Sequence, residues 1–327
     1  MKSPLAPFLL AALALLIPSQ VFAELQAGAT IVDVTPTKFP VLVNGSMTSR
    51  SVSTVKTKVN ARAIVVADGE ERLAIVVVDS CMLPRPLLDE VKKLAAQRTK
   101  IPADHILISA THAHSAPSSL ACLGTDADPE YVPFLRGKLV DAIAAAEANL
   151  EPAQVGWGSE NAADYTALRR WILRSDRLRN DPFGNPTVRA TMHAGTDWDN
   201  AVGESGPEDP QLSLISFRAK NGRPIALLAN FSMHYFGDGA LSADYFGLYC
   251  NGLQEQLGKK DVKDAPPFVA IMSHGCSGDI YRRDYTKPKD QWAITDDINE
   301  YAKGLIKITL QAYQNINYLQ DADIEMA

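Results

Sequence analysis

The stretch ARAIVVADGEERLAIVVVDS at residues 61–80 decides the fold. Residues 61–67 and 73–78 are apolar and β-rich, and Asp68-Gly69-Glu70 between them is a hairpin signal. The period then changes. Over residues 84–99, Leu87, Leu88, Val91 and Leu94 fall on one helical face, with Pro84 near the start. Residues 106–110 return to a strand, and 131–150 to a helix with Leu135, Leu139 and Ile143 in register. Further strands are expected at 29–34, 154–158, 212–217, 225–231 and 268–272, and further helices at 245–257 and 296–313. Interleaved strands and helices with short connections predict an α/β fold of layered mixed β-sheets flanked by helices. Residues 175–210, rich in Asp, Asn, Gly, Pro and Arg, show no periodicity and predict a surface loop or an active-site cover.

Composition excludes several classes. With 327 residues, 46% of them hydrophobic, the chain has material for one large core, and 20 Gly and 20 Pro rule out collagen-like character. A net charge of −6 with no long basic cluster excludes nucleic acid as a partner. Lys2, the apolar run at 9–17 and Val21-Phe22-Ala23 predict a signal peptide at 1–23, cut before Glu24. The run is too short for a membrane span, so residues 24–327 are expected as one exported domain, periplasmic or secreted, with no stable membrane span. Cys81, Cys122, Cys250 and Cys276 contain no C-x-x-C, and disulfides remain open for them.

The chemistry collects at strand ends. The strand at 106–110 runs into Thr111-His112-Ala113-His114-Ser115-Ala116-Pro117. On an extended segment side chains two apart point the same way, so His112 and His114 are expected to face one site, as H-x-H does at a metal. A hydrogen-bonded polar pair is the plainer alternative. His234 closes the strand at 225–231 in a matching place, and strand ends of α/β sheets are where ligands bind. Asp244 is expected as a helix cap rather than a carboxylate orienting an imidazole. Ser273-His274-Gly275-Cys276-Ser277-Gly278-Asp279-Ile280 predicts a sharp turn with exposed amides, and His105 and His193 predict surface residues.

Taken together, GATIVDVTP at 28–36, ISATHAHSAP at 108–117, Arg169-Arg170-Trp171, Asp209-Pro210, NFSMH at 230–234, SADY at 242–245 and GCSGDI at 275–280 resemble the neutral/alkaline non-lysosomal ceramidases, in particular the compact bacterial exported proteins with that N-terminal catalytic domain. The resemblance implies a Zn2+ site with His112 and His234 as ligands, His114 beside the substrate, and a zinc-activated water attacking the acyl carbonyl of an N-acylated, ceramide-like lipid. It also implies an arginine near that carbonyl, either Arg169 or Arg170, which makes Arg170 a catalytic candidate beside His114. Tyr281 stands where the family has a serine, with Ser277 nearby, and is the third catalytic candidate. The family adds a glutamate and a tyrosine ligand from further along the chain, so the resemblance implies that this sequence is C-terminally incomplete. Two other readings stay in view: a zinc amidohydrolase of barrel fold, and an exported ceramidase-like domain without activity.

Overall fold

The computed structural model describes residues 24–69, 71–192, 198–258, 265–320 and 322–325. The expected signal peptide and His193 lie outside the described residues. Eight strands form one sheet: Gln26–Asp33 (β1), Asn60–Asp68 (β2), Glu71–Val78 (β3), Ile106–Ala110 (β4), Glu151–Asn161 (β5), Gln211–Ala219 (β6), Pro224–Phe231 (β7) and Val269–His274 (β8). Their order is β8-β7-β6-β5-β1-β2-β3-β4. The hairpin pairs Ala61 with Val78 through to Asp68 with Glu71, as the turn signal predicts. Only β3–β4 and β7–β8 are parallel; the other neighbours are antiparallel. An open, mostly antiparallel sheet excludes the parallel barrel of the amidohydrolase alternative.

The sheet has a weak seam. β1 meets β5 only at Gln26↔Pro152 and Ala27↔Glu151, and the two leaves fold over one another so that β8 packs on β2, β3 and β4. Because successive strand residues face opposite sides, each leaf serves two cores. Ile64, Val66, Val77, Val269 and Ile271 fill the space between the leaves. Ala63, Val65 and Val76 point outward to helices Arg85–Arg98 (α1) and Tyr131–Ala148 (α2); Ala229 and Met272 belong to the same outer cluster, as do Tyr249 and Leu305 from Asp244–Leu257 (α3) and Ile298–Gln314 (α4). The layers run helix, sheet, sheet, helix, which is the α/β layering expected.

Three details differ from the sequence reading. The buried stripe of α1 is Leu87, Val91 and Ala95, spaced four apart on one helical face that packs with α2, while Leu94 falls beside that stripe and is exposed. Residues 175–210 are not all loop: Ala190–Met192 and Ala201–Glu204 pair with Arg170–Leu173 in a small, largely solvent-facing sheet. Strand β8 runs on to His274, pairing Ser273 with Asn230 and His274 with Phe231. No helix among the described residues is long and apolar enough to cross a membrane. All four cysteines are free thiols.

Candidate active site

The four segments that follow β3, β4, β7 and β8, the members of the two parallel pairs, hold the residues of interest. The first two are zipped together: the Thr111 amide donates to the Val78 carbonyl at 2.9 Å and the Ala113 amide to that of Ser80 at 3.1 Å. Beneath them Arg62 Nη1 donates to Asp79 Oδ2 at 2.7 Å, with Arg62 1% and Asp79 0% exposed. His112 sits between the zipped amides with φ +68°, in the left-handed region. For a non-glycine residue this costs about 1–3 kcal/mol and clusters at functional sites. His112 and His114 do face one site, but the backbone between them turns rather than extends. Their Nε2 atoms meet at 2.9 Å.

Each of three imidazoles is fixed by a backbone carbonyl. The Nδ1–H of His112 donates to Cys81 O at 2.9 Å, that of His114 to Gly45 O at 2.9 Å, and that of His234 to Ser277 O at 3.0 Å. An oxygen that only accepts demands a proton on Nδ1, which leaves Nε2 of each neutral ring with a bare lone pair. Metal-binding histidines are oriented in this way. The His234 ring lies 4.8 Å from the His112 ring and 5.3 Å from that of His114. Tyr235 stacks on His114 at 3.6 Å, and the Tyr245 hydroxyl holds the Met233 carbonyl at 2.8 Å, so the loop carrying His234 is pinned on both sides.

Cys81, His112 and His114 place ligand atoms within 4.8 Å of one another, yet Cys81 is the weakest of the three as a donor. Its Sγ approaches His112 at Nδ1, 4.0 Å away, on the side already bonded to the Cys81 carbonyl. Burial also pushes the thiol up to about 12, which disfavours the thiolate. The donor set that fits a borderline metal such as zinc is the imidazole group.

His274 is the residue the sequence did not single out. Its ring lies 5.3 Å from that of His112, and its Nε2 contacts Ser277 Oγ. Ser277 thus holds two histidines, His234 through its carbonyl and His274 through its hydroxyl. Of the two arginine candidates, Arg169 is buried beside His234 and Arg170 is exposed, because neighbours on an extended chain face opposite sides. Arg169 donates from Nη2 to Gly278 O at 2.8 Å, and its buried Nε has no hydrogen-bond partner. Its guanidinium lies 6.0 Å from the ring centre of Tyr281. Asp244, with φ +58° and 1% exposure, accepts the Tyr245 amide in the first turn of α3 at 2.7 Å, as a capping carboxylate does, and also the amides of Phe236 at 3.0 Å and Gly237 at 2.8 Å, anchoring the loop after His234. Arg50, also missed, donates to the His114 carbonyl at 3.1 Å. Glu300, Tyr301 and Tyr318 are engaged elsewhere, with Lys303, the Tyr165 carbonyl and Ser216.

Burial, with repulsion from neighbouring rings, moves His114 down to about 4 and His274 to about 3; for His234, also about 3, Arg169 adds to the repulsion. Below the ordinary value of about 6.5 the unfolded chain therefore binds protons that these rings refuse in the folded state. Stability must fall as pH drops from about 6.5 toward these values. Calorimetry of the metal-free protein is expected to show Tm decreasing across that window, with a shallower slope in His274→Gln. An unchanged slope in the variant would contradict the assignment.

Residues 25–283 match the family described as neutral/alkaline non-lysosomal ceramidase, N-terminal. Neutral ceramidase A of Dictyostelium discoideum is 24% identical over 279 residues, covering 78% of this chain and 35% of that protein. The neutral ceramidase from Pseudomonas aeruginosa superposes with a TM-score of 0.66 at 18% identity, over 90% of this chain and 45% of that one. A ceramidase complexed with C2 gives 0.65 at 16% identity, over 90% and 44%. At these identities the superpositions show the fold. The chain spans less than half the length of each of these relatives.

Proposed function

The chain belongs to the neutral/alkaline non-lysosomal ceramidase family, and on that premise we propose that it is an exported, zinc-dependent hydrolase of the amide bond in N-acylated, ceramide-like lipids. The observation that carries the reading is the set of imidazoles whose Nδ1 protons are all committed to backbone carbonyls, leaving Nε2 lone pairs around one point. His112 and His234 hold the metal there. Bound zinc supplies polarisation of the acyl carbonyl and a lowered pKa for water.

The chain's own residues do the rest. Arg169, with its buried and unpaired Nε–H, donates to the carbonyl oxygen as negative charge builds on it. Tyr281, beside Arg169, is assigned the proton that the leaving amine needs. In the overall step a water oxygen bonds to the acyl carbon, the C–N bond breaks, and the products are a fatty acid and an amine. Zinc-loaded protein is expected to release fatty acid from N-acylsphingosine, compared in parallel with N-acyl amino acids and simple esters. No amide turnover with metal fully bound would favour a binding domain without activity.

Gly45 gives an independent check on the site's geometry. Its φ is +97°, and a Cβ there would stand 2.5 Å from Cγ and 2.6 Å from Nδ1 of His114. Gly45→Ala is expected to push that ring aside and cost roughly 100-fold in kcat/KM, the scale of a misplacement of about 1 Å. Wild-type kinetics in this variant would show that the position of His114 does not matter.

A further inference from the structure

We infer that the small sheet around Arg170–Leu173, together with the turn that carries Phe183, is a docking surface for an anionic lipid bilayer. The inference goes beyond the hydrolase reading, because lipid binding is a property of this surface and needs no turnover.

Charge singles the surface out. Residues 170–192 carry five arginines and two aspartates, in a chain whose net charge is −6. Arg170, Arg174, Arg177, Arg179 and Arg189 are all exposed. Asp176 is shared between Arg174, at 3.0 Å, and Arg177, at 3.8 Å. Asp181 is taken up by the turn itself. A local excess of cations on an acidic protein complements an anionic surface and selects the face that approaches it.

The turn adds an apolar tip held in place. Asp181 Oδ1 accepts the amides of Phe183 and Asn185, both at 2.9 Å, and Oδ2 accepts the Thr187 hydroxyl at 3.0 Å. Gly184 turns the chain at φ +87°, and Pro182 and Pro186 fix φ on either side. Phe183 is thereby presented 89% exposed. The carboxylate and two amides of the turn are paired with one another, which lowers the cost of taking them out of water. Met192 and Val202 on the same small sheet are also exposed, and Met192 stands opposite Arg170 in the ladder, so the two share a face. These apolar side chains stand singly. A folded protein partner needs a packed, contiguous core of contacts. A bilayer interface takes up separate apolar side chains beside arginines. Arg169, the residue before this sheet, is buried beside His234, so docking here turns that wall of the site toward the layer in which an N-acylated lipid resides.

The test is co-sedimentation of the full chain with vesicles of equimolar phosphatidylglycerol and phosphatidylcholine, with no N-acylated lipid present. Wild type is expected to bind these vesicles, to bind phosphatidylcholine alone much more weakly, and to be released by salt. Each variant is first shown by circular dichroism to keep its fold. Phe183→Ala is expected to weaken binding about 10-fold or more, the scale of burying one phenylalanine, and Phe183→Trp to retain it. Arg177→Gln with Arg189→Gln is expected to weaken binding about 25-fold, from roughly fivefold for each arginine near an anionic surface. No binding by wild type, equal binding to phosphatidylcholine alone, or binding that Phe183→Ala leaves intact overturns the docking surface. So does a wild-type dimer that Phe183→Ala converts to monomer without any lipid binding. Because the vesicles hold no substrate, these results leave hydrolysis of detergent-dispersed N-acylsphingosine standing. A chain that binds vesicles but hydrolyses no amide overturns the hydrolase reading alone.

Discussion

His112→Ala combined with His234→Ala is expected to remove bound zinc and amide hydrolysis together. These residues come from the two leaves of the folded sheet, one after β4 and one after β7, so no single loop can compensate for both. His112 holds its left-handed backbone conformation because Thr111 and Ala113 on either side are tied to Val78 and Ser80. His234 is held by Ser277 from the segment after β8. With both nitrogens gone, the stabilisation of several kcal/mol that a metal gives the transition state disappears, and kcat/KM falls by about 1,000-fold or more. Alanine removes the burial penalty of two imidazoles but keeps the left-handed backbone at 112, so circular dichroism of the double variant, expected to match wild type, checks that the fold persists. Stoichiometric zinc retained by the double variant would sink the assignment.

The second large effect is on stability and lies just beneath the site. Arg62→Met leaves the carboxylate of Asp79, 0% exposed, with only the Asn60 amide at 2.9 Å. Removing one member of a buried pair costs about 3–5 kcal/mol, because the remaining charge has neither water nor a partner. For a chain of this size that lowers Tm by about 5–8 °C. Arg62 Nε and Nη2 and Asp79 Oδ1 have no hydrogen-bond partner, so the pair is incompletely satisfied. Arg62→Met with Asp79→Leu is therefore expected to regain most of the lost stability. Thermal unfolding checks both variants; a loss under about 1 kcal/mol in the single variant contradicts the account. The damage should also reach the site, since Asp79 adjoins Ser80, whose carbonyl fixes Ala113.

The hairpin at 61–78, the strand at 106–110 and the H-x-H that follows it were readable because period and turn chemistry are local signals. The folding-over of the sheet was not. It depends on β1 and β5 pairing through only two residues each, and nothing in either strand's own composition announces that seam. His274 was read as part of a turn because polar Ser273 and His274 end an apolar run, although ladder pairing with Asn230 and Phe231 keeps them in the strand. Arg169 and Arg170 are chemically identical neighbours, and only the path of the chain, with the Arg169 amide on the Asp279 carbonyl, decides which faces the histidines. The bare Nε2 atoms depend on the Gly45, Cys81 and Ser277 carbonyls, which are remote in sequence from the rings they fix.

Elemental analysis of the wild-type chain tests the central claim most directly. After incubation with zinc and passage through a weak chelating resin, the protein is expected to retain about one zinc per chain. Zinc at background level in folded protein would contradict a metal centre at these histidines and, with it, the hydrolase reading.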